Sequence, residues 1–264
     1  MKRLFYSFSV LLVAVLLVGC GQVASSGSVE PDYADDEVIL AISQGLEDRF
    51  DLADEQEAEQ QVVNADYYAG PVQVEIDAVS PFRNRQFEDP DLQEAVLSYV
   101  NVLEDSLEAT ETYPIDSLEF FDEWQRIYDE RATLLKLFVD EYGLEVDDFH
   151  SDALNDLLIN AKAVEQKTEV EDAINELVSS IVFTKVNDGY GLYTYTATVQ
   201  NTSGLNLEDV SLVLSLYDSE GVMAEESYAS VRSWPNGETV RFEAIGSTDA
   251  AQIKVSIDFY SIAD

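Results

Sequence analysis

Near residue 181 of this 264-residue chain, apolar side chains stop recurring every third or fourth position and begin to alternate. Ile174, Leu177 and Ile181 still fall on one helical face, whereas Tyr193, Tyr195, Ala197 and Val199 alternate with Thr194, Thr196, Thr198 and Gln200. A helix buries a stripe repeating about every 3.6 residues and a strand a face repeating every 2, so the two patterns demand different backbones. The chain is therefore predicted to be α+β and multidomain. An N-terminal antiparallel helical bundle over 37–180 is followed by a C-terminal antiparallel β-sandwich of immunoglobulin-like kind over 181–264.

Within 37–180, Ile39, Ile42, Leu46 and Phe50 repeat at helical spacing before the acidic run Asp51–Glu59. Gly70-Pro71 reads as a break, after which Val72, Val74, Ile76 and Val79 fit either a strand or a short helix. Asp89-Pro90-Asp91 opens a helix with Leu92, Val96, Tyr99, Leu103 and Leu107 on one face. Asp116 or Ser117 is placed to cap the next, whose stripe is Phe121, Trp124, Tyr128, Leu135, Phe138 and Tyr142, with Gly143 at its C-terminal cap. Asp148 or Ser151 begins a further segment holding Leu154, Leu158 and Ala161. Three or four antiparallel helices with short connections are expected.

In the second region, Leu212, Leu214 and Leu216 point one way, and Ile253, Val255, Ile257 and Phe259 alternate with polar neighbours. Turn chemistry punctuates the runs at Asn187-Asp188-Gly189, Asn201-Thr202-Ser203-Gly204, Asp218-Ser219-Glu220-Gly221, Pro235-Asn236-Gly237 and Gly246. The set Val199-Gln200-Asn201-Thr202, Leu214-Ser215-Leu216-Tyr217-Asp218, Gly221, Pro235-Asn236-Gly237-Glu238 and Phe242 resembles the FxLYD domain, with Leu214 standing where that family has Phe. The resemblance covers roughly 183–260. It implies a sandwich appended to other modules in bacterial extracytoplasmic proteins, with neither an enzymatic activity nor binding residues.

The N-terminus carries an address. Met1-Lys2-Arg3 is a short positive segment, and Leu4–Val18 is apolar apart from Tyr6, Ser7 and Ser9. Such a stretch reads as a secretory signal, too short for a confident spanning helix. Leu17-Val18-Gly19-Cys20 resembles the lipobox of bacterial lipoproteins, in which the cysteine receives a diacylglyceryl group and becomes the mature N-terminus. The resemblance implies a signal peptide over 1–19, lipid attachment at Cys20 and a protein held on the extracytoplasmic side of the cell membrane. Two acyl chains hold a protein stably where one holds it marginally. Residues 20–36 read as a flexible tether, with a reach of roughly 20–25 Å. Cys20 is also the sole cysteine, so no disulfide is expected. The combination of lipobox, helical region and FxLYD-like end is similar to lipoproteins of Gram-positive bacteria.

Charge is uneven. Residues 37–180 hold 37 acids against 8 bases, a balance of −29, and residues 181–264 hold 12 against 4, a balance of −8. This field opposes binding of nucleic acid, anionic lipid and anionic wall polymers. It accords with a solubility adaptation or with weak binding of Ca²⁺ or a cationic partner.

The chemical inventory is thin. His150 is the single histidine, so any Ser-His-Asp arrangement must run through it. Walker, Gly-x-Gly-x-x-Gly, His-Glu-x-x-His and Cys-x-x-Cys patterns are missing from the sequence. Asp147-Asp148-Phe149-His150-Ser151-Asp152 is the best candidate for a metal, yet acids at a helix start also cap amides and oppose the dipole, and capping is the expected role. No catalytic residue, cofactor or metal ligand is assigned. Trp124 and Tyr128 are expected in the core, with lining of a peptide or glycan groove as the alternative. Arg126 and Arg131 are expected to pair locally with Glu123, Asp129 and Glu130. Trp234 either stands exposed or closes one end of the sandwich. Tyr190–Tyr195 reads as a strand with a surface aromatic face.

The expected function is a non-catalytic binding or adaptor module at the cell surface. Its expected partners are the membrane, through Cys20, and a protein or cationic ligand, with nucleic acid excluded. The alternatives are an extracytoplasmic solute- or Ca²⁺-binding lipoprotein and a hydrolase using paired carboxylates.

Overall fold

The computed structural model describes residues 32–263. Cys20, the expected signal segment 1–19 and the tether up to residue 31 lie outside the described residues. Five α-helices are followed by six strands in two antiparallel sheets. The helices are α1 (Asp35–Ala58), α2 (Ala65–Val79), α3 (Pro90–Thr112), α4 (Leu118–Tyr142) and α5 (Ser151–Ser179), with a 3₁₀ turn at Ser80–Asn84.

Helix α1 starts before the expected end of the tether. Ala34 is buried and its N–H donates to the Gln86 carbonyl at 3.0 Å, so the tether gives way to packed structure two or three residues before 37. Asp35, Asp36 and Glu37 in the first turn suit the positive end of the helix dipole. Val38, Ile42 and Leu46 bury the inner stripe, and a Cβ on Gly45 would come within 3.0 Å of the Ala78 Cβ, so glycine permits the close α1–α2 approach. The helix ends with Gln60 in the left-handed region (φ 52°) and the Gln61 N–H donating to the Gln56 carbonyl at 3.0 Å.

Gly70-Pro71 does not break the chain: both lie inside α2, as do Val72, Val74, Ile76 and Val79. An interior proline costs about 3 kcal/mol. Burial of Val72, Ile76 and Val79, at roughly 1.5–3 kcal/mol each, outweighs it. Asn64 caps this helix by accepting from the Tyr67 N–H at 2.9 Å. Asp89 caps α3 with Pro90 in the first turn, and Ser117, rather than Asp116, caps α4. Gly143 ends α4 at φ 68°.

The buried stripe of α4 is Phe120, Ile127, Arg131, Leu135 and Phe138 with Trp124 half-buried, so Phe121 is displaced outward. Starting the stripe one residue earlier fits the 3.6-residue period only if a charged Arg131 takes a core position. That requirement is what hid it from a reading by hydrophobicity.

Helices α1 to α4 run antiparallel in sequence. Helix α5 does not. The Asn160 amide donates to Asp129 at 2.9 Å and Lys136 pairs with Glu165 at 3.1 Å, so contacts ascend together and α5 runs parallel to α4. The expected all-antiparallel bundle is thus corrected at its last member. The cause is the segment Glu145–His150, which returns along α1: Ser43 meets Glu145, Glu47 meets Asp147 and Asp51 meets His150. Helix α5, a single element of about 44 Å, then runs back toward the end at which the described chain starts. Leu157 and Ala161 belong to the helical core, Ile174, Leu177 and Val178 to the core of the strands, and nine of the twelve residues between Ala161 and Ile174 are exposed. A helix polar all round is a solvent-bridging strut.

The strands are β1 (Thr184–Gly189), β2 (Leu192–Gln200), β3 (Leu207–Tyr217), β4 (Met223–Trp234), β5 (Thr239–Gly246) and β6 (Gln252–Ile262). They form two antiparallel sheets of order β1-β2-β5 and β4-β3-β6. Inward residues of both sheets, including Tyr195, Leu212, Leu214, Leu216, Trp234 and Phe242, share one core. Two expectations shift here. The first hairpin turns at Tyr190-Gly191, both at positive φ, rather than at Asn187-Asp188-Gly189. Tyr195 is core instead of surface, and Tyr190 is fully exposed. In β6, Ile257 pairs with Leu212 but Phe259 with Ser211, which makes Asp258 an extra residue. The bulge inverts the alternation, so Phe259 faces outward and Tyr260 packs on the core.

Candidate functional site

Three polar or aromatic constellations rise above ordinary packing. The first lies inside the helical bundle, where each of four helices contributes one side chain: Arg49, Glu75, Tyr99 and Arg131. Glu75 is inaccessible, with its carboxylate receiving Arg49 Nη1 at 2.6 Å and Arg131 Nη2 at 2.9 and 3.0 Å to the two oxygens. The Tyr99 hydroxyl also donates to Glu75 Oε1. Burial alone would raise the Glu75 carboxyl, but Arg131 and Arg49, with the Tyr99 hydrogen bond, hold it below the usual range. Burial and then the Glu75 charge push the Tyr99 hydroxyl well up, so it stays a donor. Arg131 therefore does not pair locally as its sequence neighbours suggested, whereas Arg126 does, with Glu123 at 2.7 Å and Glu130 at 2.8 Å. Asp129 accepts from Gln125 and Asn160 instead. Buried and fully engaged, this centre is a structural tie across the bundle.

The second surrounds His150, which is buried at the junction before α5. Its Nδ1 lies 2.8 Å from Asp147 Oδ1 and its Nε2 lies 3.0 Å from Asp51 Oδ1. The ring also stacks on Phe50 with centroids 5.9 Å apart. Two carboxylates facing both ring nitrogens favour the doubly protonated imidazolium. Burial lowers its proton affinity, yet the hydrogen bonds to Asp51 and Asp147 prevail and raise it above the ordinary histidine value. Glu47, Asp147 and His150 offer atoms within 4.8 Å of one another and form, among the described residues, a group that could hold a cation. Asp148 and Asp152, the other acids of the sequence cluster, are exposed and stand outside this group. Asp147 Oδ1 already accepts from the N–H groups of Phe149 and His150, each at 3.0 Å, and Glu47 accepts from the Asp147 N–H at 2.8 Å. Those protein donors account for the geometry.

The third is an aromatic cluster where α1 turns into α2 and α3 into α4, the end of the bundle away from Ala34. Tyr68 meets Phe120 at 5.1 Å and Trp124 at 5.0 Å, edge to face, and Phe120 stacks on Trp124 at 5.4 Å. Outside this rim lies an open groove of about 500 Å³ lined by Val63, Asn64, Tyr68, Ile115, Asp116 and Phe121 among others. Of its lining, Val63 (57% exposed) and Phe121 (52%) are open to solvent, as are Val62 (79%) and Leu118 (78%) on the same two segments. Trp124 thus supports the groove from below, and Tyr68 and Phe121 supply its aromatic lining.

In the β region, Trp234 is buried, edge-on to Phe242 at 5.0 Å, with its Nε1 donating to the Glu238 carbonyl at 3.2 Å. Asn201 is the polar hub beside it. Its Nδ2 donates to the carbonyls of Leu205 at 2.9 Å and Trp234 at 2.7 Å, and its Oδ1 accepts from the Ser203 N–H and hydroxyl. The Asn201 backbone also exchanges hydrogen bonds with Glu238 and Gly237. The Asn and the Pro-x-Gly-Glu segment of the sequence motif are therefore one hydrogen-bonded unit.

Sequence reasoning found His150 and Trp124 but missed Glu47, Asp51, Arg49, Glu75 and Tyr99 as partners. The legible signals were Glu75 on the face of Val72, Ile76 and Val79, and Arg131 between Ile127 and Leu135. No family model matches the chain, and no curated protein does. Among solved structures, Pseudomonas fluorescens alkylpurine DNA glycosylase AlkC bound to DNA containing an abasic site analog is similar at 10% identity. The likeness covers 83% of this chain and 75% of that one at a TM-score of 0.21, too slight to bear on fold or function.

Proposed function

We propose that this chain is a lipid-anchored extracytoplasmic protein, held at the membrane by diacylglyceryl Cys20, that works as a non-catalytic binding or adaptor module at the cell surface. The observation that carries the reading is the placement of the two ends of the bundle. The described chain starts at the end marked by Ala34, Asp89 and Tyr142, and α5 heads toward that same end before the strands begin. The opposite end, away from Ala34, displays Val62, Val63, Leu118 and Phe121 to solvent. Exposed apolar side chains grouped around a concave surface are a common mark of a binding face. The shared core of the two sheets supports reading residues 181–264 as an immunoglobulin-like sandwich of the FxLYD kind, appended through the α5 strut.

Metabolic labelling with an alkyne fatty acid, followed by fractionation, tests the anchoring. The wild-type chain is expected to carry the label and sediment with membranes, and Cys20→Ala to be unlabelled and either released or retained as precursor. Labelled Cys20→Ala would overturn the assignment. Crosslinking in intact cells, with capture of the full chain, tests the adaptor role. A reproducible partner absent from the Cys20→Ala sample is expected, and the reading fails if neither region crosslinks to any protein.

A further inference from the structure

The groove at the far end of the bundle has a distinctive electrostatic setting. Its floor is largely apolar and aromatic (Val63, Tyr68, Ile115 and Phe121), its one charged lining residue is Asp116, and the charged residues exposed on the segments that form it, Glu59, Asp66, Glu119 and Asp122, are all acidic. No lysine or arginine occurs between Arg49 and Arg83 or between Arg85 and Arg126, the stretches that build this end. Arg126 itself is held by Glu123 and Glu130. The apolar floor rewards a side chain that leaves water, and the uncompensated acids reward a cation beside it. An anionic lipid surface meets only repulsion here. A second copy of this chain brings the same acidic rim, and each copy carries a formal charge of −39.

Resting on the adaptor reading above, we infer that this groove is the docking site for a basic amphipathic segment of a protein partner. Aliphatic or aromatic side chains of that segment enter between Phe121 and Val63, and its Lys or Arg residues face Glu119, Asp122 and Asp66. Helix-in-groove recognition of this kind reads a short apolar face for affinity and flanking charge for orientation. The volume matches the occupant: about 500 Å³ accommodates a few large side chains but not a folded domain.

The probe is a fluorescent amphipathic helix of Leu and Lys with one Trp, of about 18 residues, tested by anisotropy on the full chain. The same pattern with Glu in place of Lys, and a scrambled Leu/Lys peptide, are the controls. Cationic peptides adhere to any acidic protein, so the decisive comparison is made at about 0.5 M NaCl, where the Debye length falls to about 4 Å. There the Leu/Lys helix is expected to remain bound, with Phe121→Gln weakening it about tenfold or more. Phe259→Gln, which removes an exposed phenylalanine of the β region, should leave binding unchanged. Phe121 is half exposed, so its replacement is compatible with folding, which a matched melting curve verifies.

Equal binding by the scrambled peptide, or binding indifferent to Phe121→Gln, overturns the inference. So does a concentration-dependent dimer that Phe121→Gln abolishes, or stronger association with phosphatidylglycerol vesicles than with the peptide. These outcomes separate from failure of the adaptor role. A partner crosslinked in cells equally by wild type and Phe121→Gln removes the groove but leaves the adaptor standing, whereas no partner at all removes the adaptor.

Discussion

The helical and β regions solve the problem of a buried polar group in opposite ways. The bundle encloses charge: Glu75 between Arg49 and Arg131, with Tyr99 completing the set, one residue from each of α1 to α4. The β region encloses a neutral amide, Asn201, whose two donors and one oxygen are all engaged by adjoining loops. Desolvating ions costs several kcal/mol each, and the mutual attraction recovers that only when all partners are present. An amide costs far less to bury. The helical solution is therefore brittle, since it needs four helices in one register. The β solution is local, since it needs only the loop after β2 and the turn before β5.

Removing Glu75 is the severest way to break this contrast. Glu75→Ala leaves two guanidinium groups facing each other in the core, and a loss of about 3–5 kcal/mol is expected in urea unfolding. Replacing the whole set at once (Arg49→Met, Glu75→Leu, Tyr99→Phe, Arg131→Met) should recover most of that loss. If Glu75→Ala is as mild as a surface change, the tie across the bundle is not one. The dependence on pH has a definite sign. The carboxyl is depressed in the folded state, so its contribution is present above the unfolded value and disappears as pH falls through the folded one.

Asn201→Ala comes next. Three partners lose their hydrogen bonds, and the Trp234 carbonyl is left without this donor, so roughly 2 kcal/mol should be lost from the β region. Tryptophan fluorescence reports it through Trp234, with the helical far-ultraviolet signal unmoved at intermediate urea. Loss of both signals together would mean that α5 couples the two cores into one cooperative unit, which would sharpen the comparison in the other direction.

The smallest effect belongs to His150. Its proton affinity is raised on folding, so its contribution is present below about pH 6.5 and fades as pH rises through the folded value. Asp51 and Asp147 are themselves well exposed, so solvent screens the pairing and keeps its worth small. His150→Gln should flatten the pH dependence of stability between mild acid and neutrality without altering the β region. Unchanged dependence in that variant would show that the imidazole is not the titrating group.

Much of the architecture follows from period alone. The change near 181, the caps at Asp89, Ser117 and Gly143, and the succession of helices then strands all rest on local chemistry. The rest depends on distant partners. Arg131 fits a core stripe only because Glu75, 56 residues away, neutralises it. Pro71 stays helical only because the residues beyond it are buried. Phe259 faces outward only because of an extra residue in β6. The parallel course of α5 depends on Glu145–His150 lying along α1, and nothing in the spacing of apolar residues encodes that path. The groove is only partly legible in the sequence, since Trp124 packs beneath it while Phe121, on the same helix, lines it. Val62 and Val63 come from the loop before α2 and Leu118 from the first turn of α4, segments that sequence order keeps apart.

The direction of α5 has a mechanical consequence. The described chain begins, and the strands of the β region depart, at the same end of the bundle. Tension between those two exits bears on the contacts at that end first, so it opens the bundle sequentially, as a zipper opens. Tension between the N-terminal exit and an object seated in the far groove runs along the helix axes and loads many contacts at once, in shear. Forced unfolding is set by the rate of crossing the barrier, and the two geometries cross it very differently. One fold is thus compliant to a pull through its C-terminal half and stiff to a pull through its far end.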